Sequence, residues 1–116
     1  MLNKYIFEYE KLAIEHQTAS MAGDYKNANN AVKKIGVIVN KVIREDLSDL
    51  FFSTLFSHSN LTVKMWAATS SELCGFDIQK SLQIFYLLLQ DEKASPFIKF
   101  QSKIAAERIA KKLGVS

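Results

Sequence analysis

A chain of 116 residues is bounded to one small domain, 1–116, able to hold a core without staples. Its 48% apolar and 23% charged content is ordinary for a globular protein, while 4 glycines and 1 proline exclude collagen-like and Pro/Gly-rich disordered chains and disfavour an all-β barrel or sandwich. The net charge of +3 is too small to demand a nucleic-acid partner, and a single cysteine, Cys74, excludes a disulfide framework within the chain and any multi-cysteine zinc site.

The first segment runs from Leu2 to about Met21. Tyr5, Tyr9, Leu12, His16 and Ala19 recur there at spacings of four and three, which is one face of a helix. Gly23 stops it, and Asp24 is a good N-cap for the next helix. That second helix, about Tyr25 to Arg44, carries the stripe Ala28, Ala31, Ile35, Ile38 and Val42. Gly36 lies inside it at a cost of ~1 kcal/mol against alanine, so a close helix–helix approach is expected there.

A third helix is expected from Asp46, with Leu47, Leu50, Phe51 and Leu55 facing inward. It ends in the polar turn Ser57-His58-Ser59-Asn60. Asn60 caps a fourth helix, Leu61 to Cys74, and Gly75 stops it. Asp77 caps a fifth, with the stripe Ile78, Leu82, Phe85 and Leu89. Ser95-Pro96 starts a sixth that runs to about Leu113, because proline suits the first helical position. Six helices and no convincing strand result. Short connections make neighbours antiparallel, and three stacked helical hairpins place all six while burying both faces of the middle pair.

No apolar run reaches the ~18 residues of a membrane span, and residues 1–15 lack the charged start, apolar middle and small-residue cleavage site of a signal peptide. A cytoplasmic protein with no membrane partner is the expectation, and an unpaired cysteine suits a reducing compartment.

The segment Leu55 to Ala68 is the most informative in the chain. A leucine ends one helix, a polar turn follows, then Val63 with the basic Lys64, then the pair Ala67-Ala68. This resembles a HEAT repeat, in which the valine tucks under the turn and the small alanines let two helices approach closely. Asn60 stands where that turn usually has aspartate, and Lys64 where it usually has arginine. Ala105-Ala106 resembles a degenerate copy 38 residues on, within a few residues of HEAT-type periods.

The whole chain is similar to a family of small bacterial HEAT-like domains, through Gly23-Asp24, Asn27 or Asn30, and the leucine-turn-valine-basic-alanine-alanine core. The resemblance implies an all-α HEAT/ARM-like solenoid. It also implies an immunity protein that binds and blocks the catalytic domain of a polymorphic or contact-dependent growth-inhibition toxin, as in a toxin–antitoxin pair. The alternatives are a nucleic-acid-binding HEAT-like repeat protein and a helical scaffold or regulatory subunit.

Catalysis finds little support in the residues, and no catalytic, cofactor-binding or metal-binding residue is assigned. His58 between two serines reads as a turn residue, since adjacency in sequence is not a nucleophile–base geometry. His16 reads as a satisfied, half-buried histidine, and Cys74 as a small buried apolar group. Two histidines and one cysteine make a metal site improbable, and no glycine-rich phosphate loop exists.

Charge placement is more telling than its total. Residues 26–44 carry five basic side chains and no acid; residues 45–92 carry seven acids against two lysines. Nucleic-acid binding is expected to be weak if present, because the basic residues lie in separated blocks. In a hairpin stack the joints at Glu45-Asp46 and at Cys74 to Asp77 fall at one end. Glu45, Asp46, Asp49, Glu72 and Asp77 are therefore expected to form an acidic edge that engages a cationic protein partner such as a nuclease toxin's cleft. The bland alternative is helix capping: Asp46 and Asp77 would cap helix starts, where acids are stabilising. Glu45 and Glu72 are then the cleaner probes of binding.

Overall fold

A computed structural model describes residues 1–114 of the chain. The described residues form six α-helices and no strand: α1 (Leu2–Met21), α2 (Tyr25–Arg44), α3 (Ser48–Phe56), α4 (Leu61–Cys74), α5 (Ile78–Gln90) and α6 (Pro96–Lys112). They divide into two compact units, Met1–Leu55 and the residues from Phe56 onward.

In the first unit α1 and α2 form an antiparallel hairpin. Tyr5, hydrogen-bonded to Glu45, ties the start of α1 to the end of α2, and Ala19 with Ala31 and Glu15 with Lys34 line the groove between the two helices. The stripes expected from the spacing are buried in both helices, except that His16 is only half-buried. Tyr9 packs edge-on against Phe51 of α3, with ring centroids 5.3 Å apart, and Phe51 does the same with Phe52 at 5.2 Å. Such T-shaped pairs add about 0.5–1.5 kcal/mol beyond the area they bury.

The turn between α1 and α2 is economical because Asp24 serves both helices. Gly23, at φ +73°, donates its N–H to the Ser20 carbonyl at 3.2 Å, and Asp24 donates to that of Ala19 at 2.8 Å, which satisfies the end of α1. The Asp24 carboxylate then accepts the Asn27 N–H at 3.2 Å and opens α2.

The end of α2 has the same geometry with no glycine. Asp46 takes φ +58° and donates to the Ile43 carbonyl at 3.1 Å, and Leu47 donates to that of Val42 at 3.0 Å. Asp46 therefore finishes α2 and does not cap α3, which starts only at Ser48. This corrects the expected start of the third helix and rotates its stripe. Phe51, Phe52 and Leu55 are fully buried, whereas Leu50 faces solvent.

In the second unit α4, α5 and α6 all pack on one another. Asn60 caps α4 by accepting the N–H groups of Thr62 at 2.9 Å and Val63 at 3.2 Å. His58 braces the turn, its Nδ1 accepting the Asn60 N–H at 2.9 Å. Val63, Ala67 and Ala68 are completely buried, and Ala105 and Ala106 nearly so, which places small side chains where α4 and α6 meet helix neighbours. Ser95 caps α6 by accepting the Ile98 N–H at 3.2 Å, with Pro96 in the first turn.

Two further expectations are corrected. A methyl group placed on Gly36 would meet nothing within 4 Å, so this glycine marks no close helix approach. Cys74 is exposed, at the last turn of α4, where its thiol reaches the Ser71 carbonyl at 3.6 Å.

Candidate functional site

Of the five acids expected to form an edge, the structure gathers three at the α2–α3 joint. Glu45 follows the last turn of α2 and its carboxylate accepts the Tyr5 hydroxyl, which ties the first turn of α1 to this joint. The hydrogen bond to Glu45, reinforced by burial and by the charges of Glu45 and Glu8, pushes the Tyr5 phenol above its ordinary value. Asp46 stands in the left-handed conformation described above, with its side chain exposed. Asp49 sits in the exposed first turn of α3, where a negative charge complements the helix dipole. Ile43 and Leu50, 45% and 59% exposed, flank these acids in the chain.

Glu72 and Asp77 bracket the α4–α5 turn, but their roles differ. Asp77 is exposed; it caps α5 from a left-handed conformation, φ +45°, by accepting the Lys80 N–H at 3.2 Å. Glu72 is withdrawn from the surface, its side chain only 1% exposed. Arg108 donates to it from Nε at 3.2 Å and from Nη2 at 2.5 Å, and Lys112 donates from Nζ at 2.7 Å. Burial pushes the Glu72 carboxyl up, but the hydrogen bonds and charges of Arg108 and Lys112 outweigh it and hold the group below its ordinary value. A buried carboxylate with two cationic partners offers no charge to a binding protein. Glu72 is thus neither part of an exposed acidic edge nor a clean probe of one.

The partners of Glu72 were missed because they lie 36 and 40 residues along the chain. One signal was present: Glu72 falls four residues after Ala68 on the inner face of α4. A charged residue on an apolar stripe demands an opposite charge from a neighbouring helix. The apolar members of the α2–α3 joint were missed for a different reason, because Leu50 belongs to the inner stripe only if α3 starts at Asp46.

His16 is half-buried, and burial pushes its imidazole below its ordinary value. Among the described residues no group of three or more His, Cys, Asp or Glu side chains could hold a metal ion. No described helix is long and apolar enough to cross a membrane. Comparison with family models, with curated proteins and with solved structures returns no match.

Proposed function

We propose that the chain is a HEAT-like stack of three helical hairpins that acts as a cytoplasmic bacterial immunity protein, occluding the catalytic domain of a cognate toxin without chemistry of its own. The α2–α3 joint carries this proposal. Within eight consecutive residues it exposes the acids Glu45, Asp46 and Asp49 together with the apolar side chains of Ile43 and Leu50. An apolar anchor among like charges suits a binding hot spot whose charges steer approach to a cationic cleft, such as that of a nuclease.

The test takes as its toxin the variable C-terminal domain of a large secreted protein encoded immediately upstream of this gene, and the absence of any such neighbour counts against the reading. Co-expression should protect the cell, and the two proteins should form a one-to-one complex. Asp49→Lys should slow association most at low salt, with a modest drop in thermal midpoint from the lost helix-dipole interaction, and Leu50→Ala should speed dissociation with little change in midpoint. Association and dissociation rates equal to the parent's in both variants would remove this joint from the interface. A lack of protection would remove the immunity role itself.

A second function has a specific observation behind it. Lys26, Lys33, Lys34, Lys41 and Arg44 are all exposed on α2, a helix without acids. Weak, non-specific nucleic-acid binding on that row would fade as salt rises through the physiological range.

A further inference from the structure

We propose that the open face of the α1–α2 hairpin is a self-association surface on which two copies of the chain form an antiparallel four-helix bundle. The charges on the rims of this face select the geometry. Two adjoining clefts of about 440 Å³ each run along the groove between the helices and share Glu15 and Lys34. Leu12 and Ile38 are buried along the groove, and Ile14 and Val37 stand on its edges, 43% and 52% exposed.

On the α1 rim stand Glu8 and Glu15; on the α2 rim stand Lys34 and Lys41. Each pair is separated by seven residues, two helical turns or about 10 Å. Counted along the antiparallel helices from the Tyr5–Glu45 hydrogen bond, Glu15 falls near the level of Lys34 and Glu8 near that of Lys41, and all four line one cleft. Among the described residues none of the four is engaged in an ion pair within the chain.

Closed dimers use the same patch on both subunits, related by a two-fold axis lying in the interface. Two such axes are available to a face-to-face hairpin. An axis across the helices sets Glu8 over Glu15 and Lys34 over Lys41 of the second copy, with like charges opposed. An axis parallel to the helices sets α1 of one copy over α2 of the other at the same level. Glu8 then meets Lys41 and Glu15 meets Lys34, twice over, and only this arrangement is self-complementary. Lys11, between the two glutamates, falls level with Ile38 of the second copy, where its methylene stem can cover apolar surface while the ammonium stays wet.

Two 20-residue helices offer a face of about 30 by 20 Å, so a dimer buries about 1,200 Å² in total, at the lower edge of specific interfaces. The dimer is accordingly weak, and salt-sensitive because its rims are exposed. The face runs along the length of the hairpin, whereas the acidic joint lies at its end, so occupancy of one does not depend on the other.

Sedimentation velocity over a micromolar to submillimolar range should show a dimer at low salt that dissociates at high salt. Glu8→Lys with Glu15→Lys makes both rims basic, and Lys34→Glu with Lys41→Glu makes both acidic. Each variant alone should be monomeric, its self-association weakened about tenfold or more. Mixed one to one, the two should form a heterodimer, which no rearrangement inside a single chain can produce. Circular dichroism melts establish that each variant is folded. If a double reversal does not fold, Glu15→Gln and Lys34→Gln singly replace it, each expected to weaken the parent dimer. A parent that stays monomeric at low salt, variants that self-associate like the parent, or folded variants that ignore each other would overturn the proposal.

Discussion

Asp46 and Gly36 each occupy a position that another residue type would suit better. Asp46 holds φ +58° at the end of α2, a conformation that disfavours any side chain but is open to glycine. Asp46→Gly removes that strain, offset in part by the greater freedom of glycine in the unfolded chain, and should raise stability by about 0.5–1 kcal/mol. Gly36 has the opposite fault, because it loosens an exposed mid-helix position with open space around it. Gly36→Ala should add close to the ~1 kcal/mol difference in helix propensity. Urea denaturation of both variants reads these gains as higher midpoints at an unchanged slope. A lower midpoint for Asp46→Gly would show that the aspartate is favoured there for a reason beyond backbone geometry.

At the scale of the helices, boundaries were legible where capping chemistry and periodicity agreed. Asp24, Asn60, Asp77 and Ser95 each accept a backbone N–H at the helix start that their side chains announce. Asp46 defeated that logic because aspartate, a favoured helix-start residue, is also among the few side chains that tolerate a left-handed helix stop. Only the bonds from Asp46 and Leu47 back to Ile43 and Val42 distinguish the two. The acidic site was legible in composition and not in burial, since sequence periodicity gives no partner 36 residues away for Glu72. The fifth helix shows the same limit. Its buried face includes Ser81, which no apolar stripe would nominate. Ser81 and Ser102 of α6 are fully buried, and neither hydroxyl has a hydrogen-bond partner. Burying an unpaired hydroxyl is costly and alanine is the better helix former, so Ser81→Ala and Ser102→Ala should each stabilise the protein by about 1 kcal/mol. Thermal midpoints that fall would mean that these hydroxyls are bonded in solution.

For the molecule as a whole, acid is the informative perturbation. The folded-state value of Glu72 is lowered, so its contribution is fully present above the unfolded carboxyl value, about 4.3, and is lost as pH falls through the folded value. His16 is also lowered, by burial, so its neutral form favours the folded state and that contribution declines as pH falls below about 6.5. Stability should therefore decline in two stages on acidification. Glu72→Gln should remove the later one, at a cost of about 1–3 kcal/mol near neutral pH from lost charge-assisted hydrogen bonds. Denaturation midpoints measured from pH 7 to pH 3 check this. A Glu72→Gln curve parallel to the parent's over the whole range would show that the carboxylate is not the titrating group.

The Glu72 cluster also bears on which arrangement of helices the second unit adopts. A buried ion pair is a poor source of net stability, because an apolar group of the same volume is often as good. Selectivity is another matter. Three amphipathic helices on short loops can bury their apolar faces with the last helix on either side of the first two, and greasy surfaces barely distinguish the two hands. A carboxylate on α4 does distinguish them. Arg108 and Lys112 reach Glu72 only when α6 lies on its side of α4; in the opposite hand a charge would stay buried with nothing to answer it. The cluster thus acts as a chirality lock, excluding the wrong-handed bundle more than it strengthens the right one.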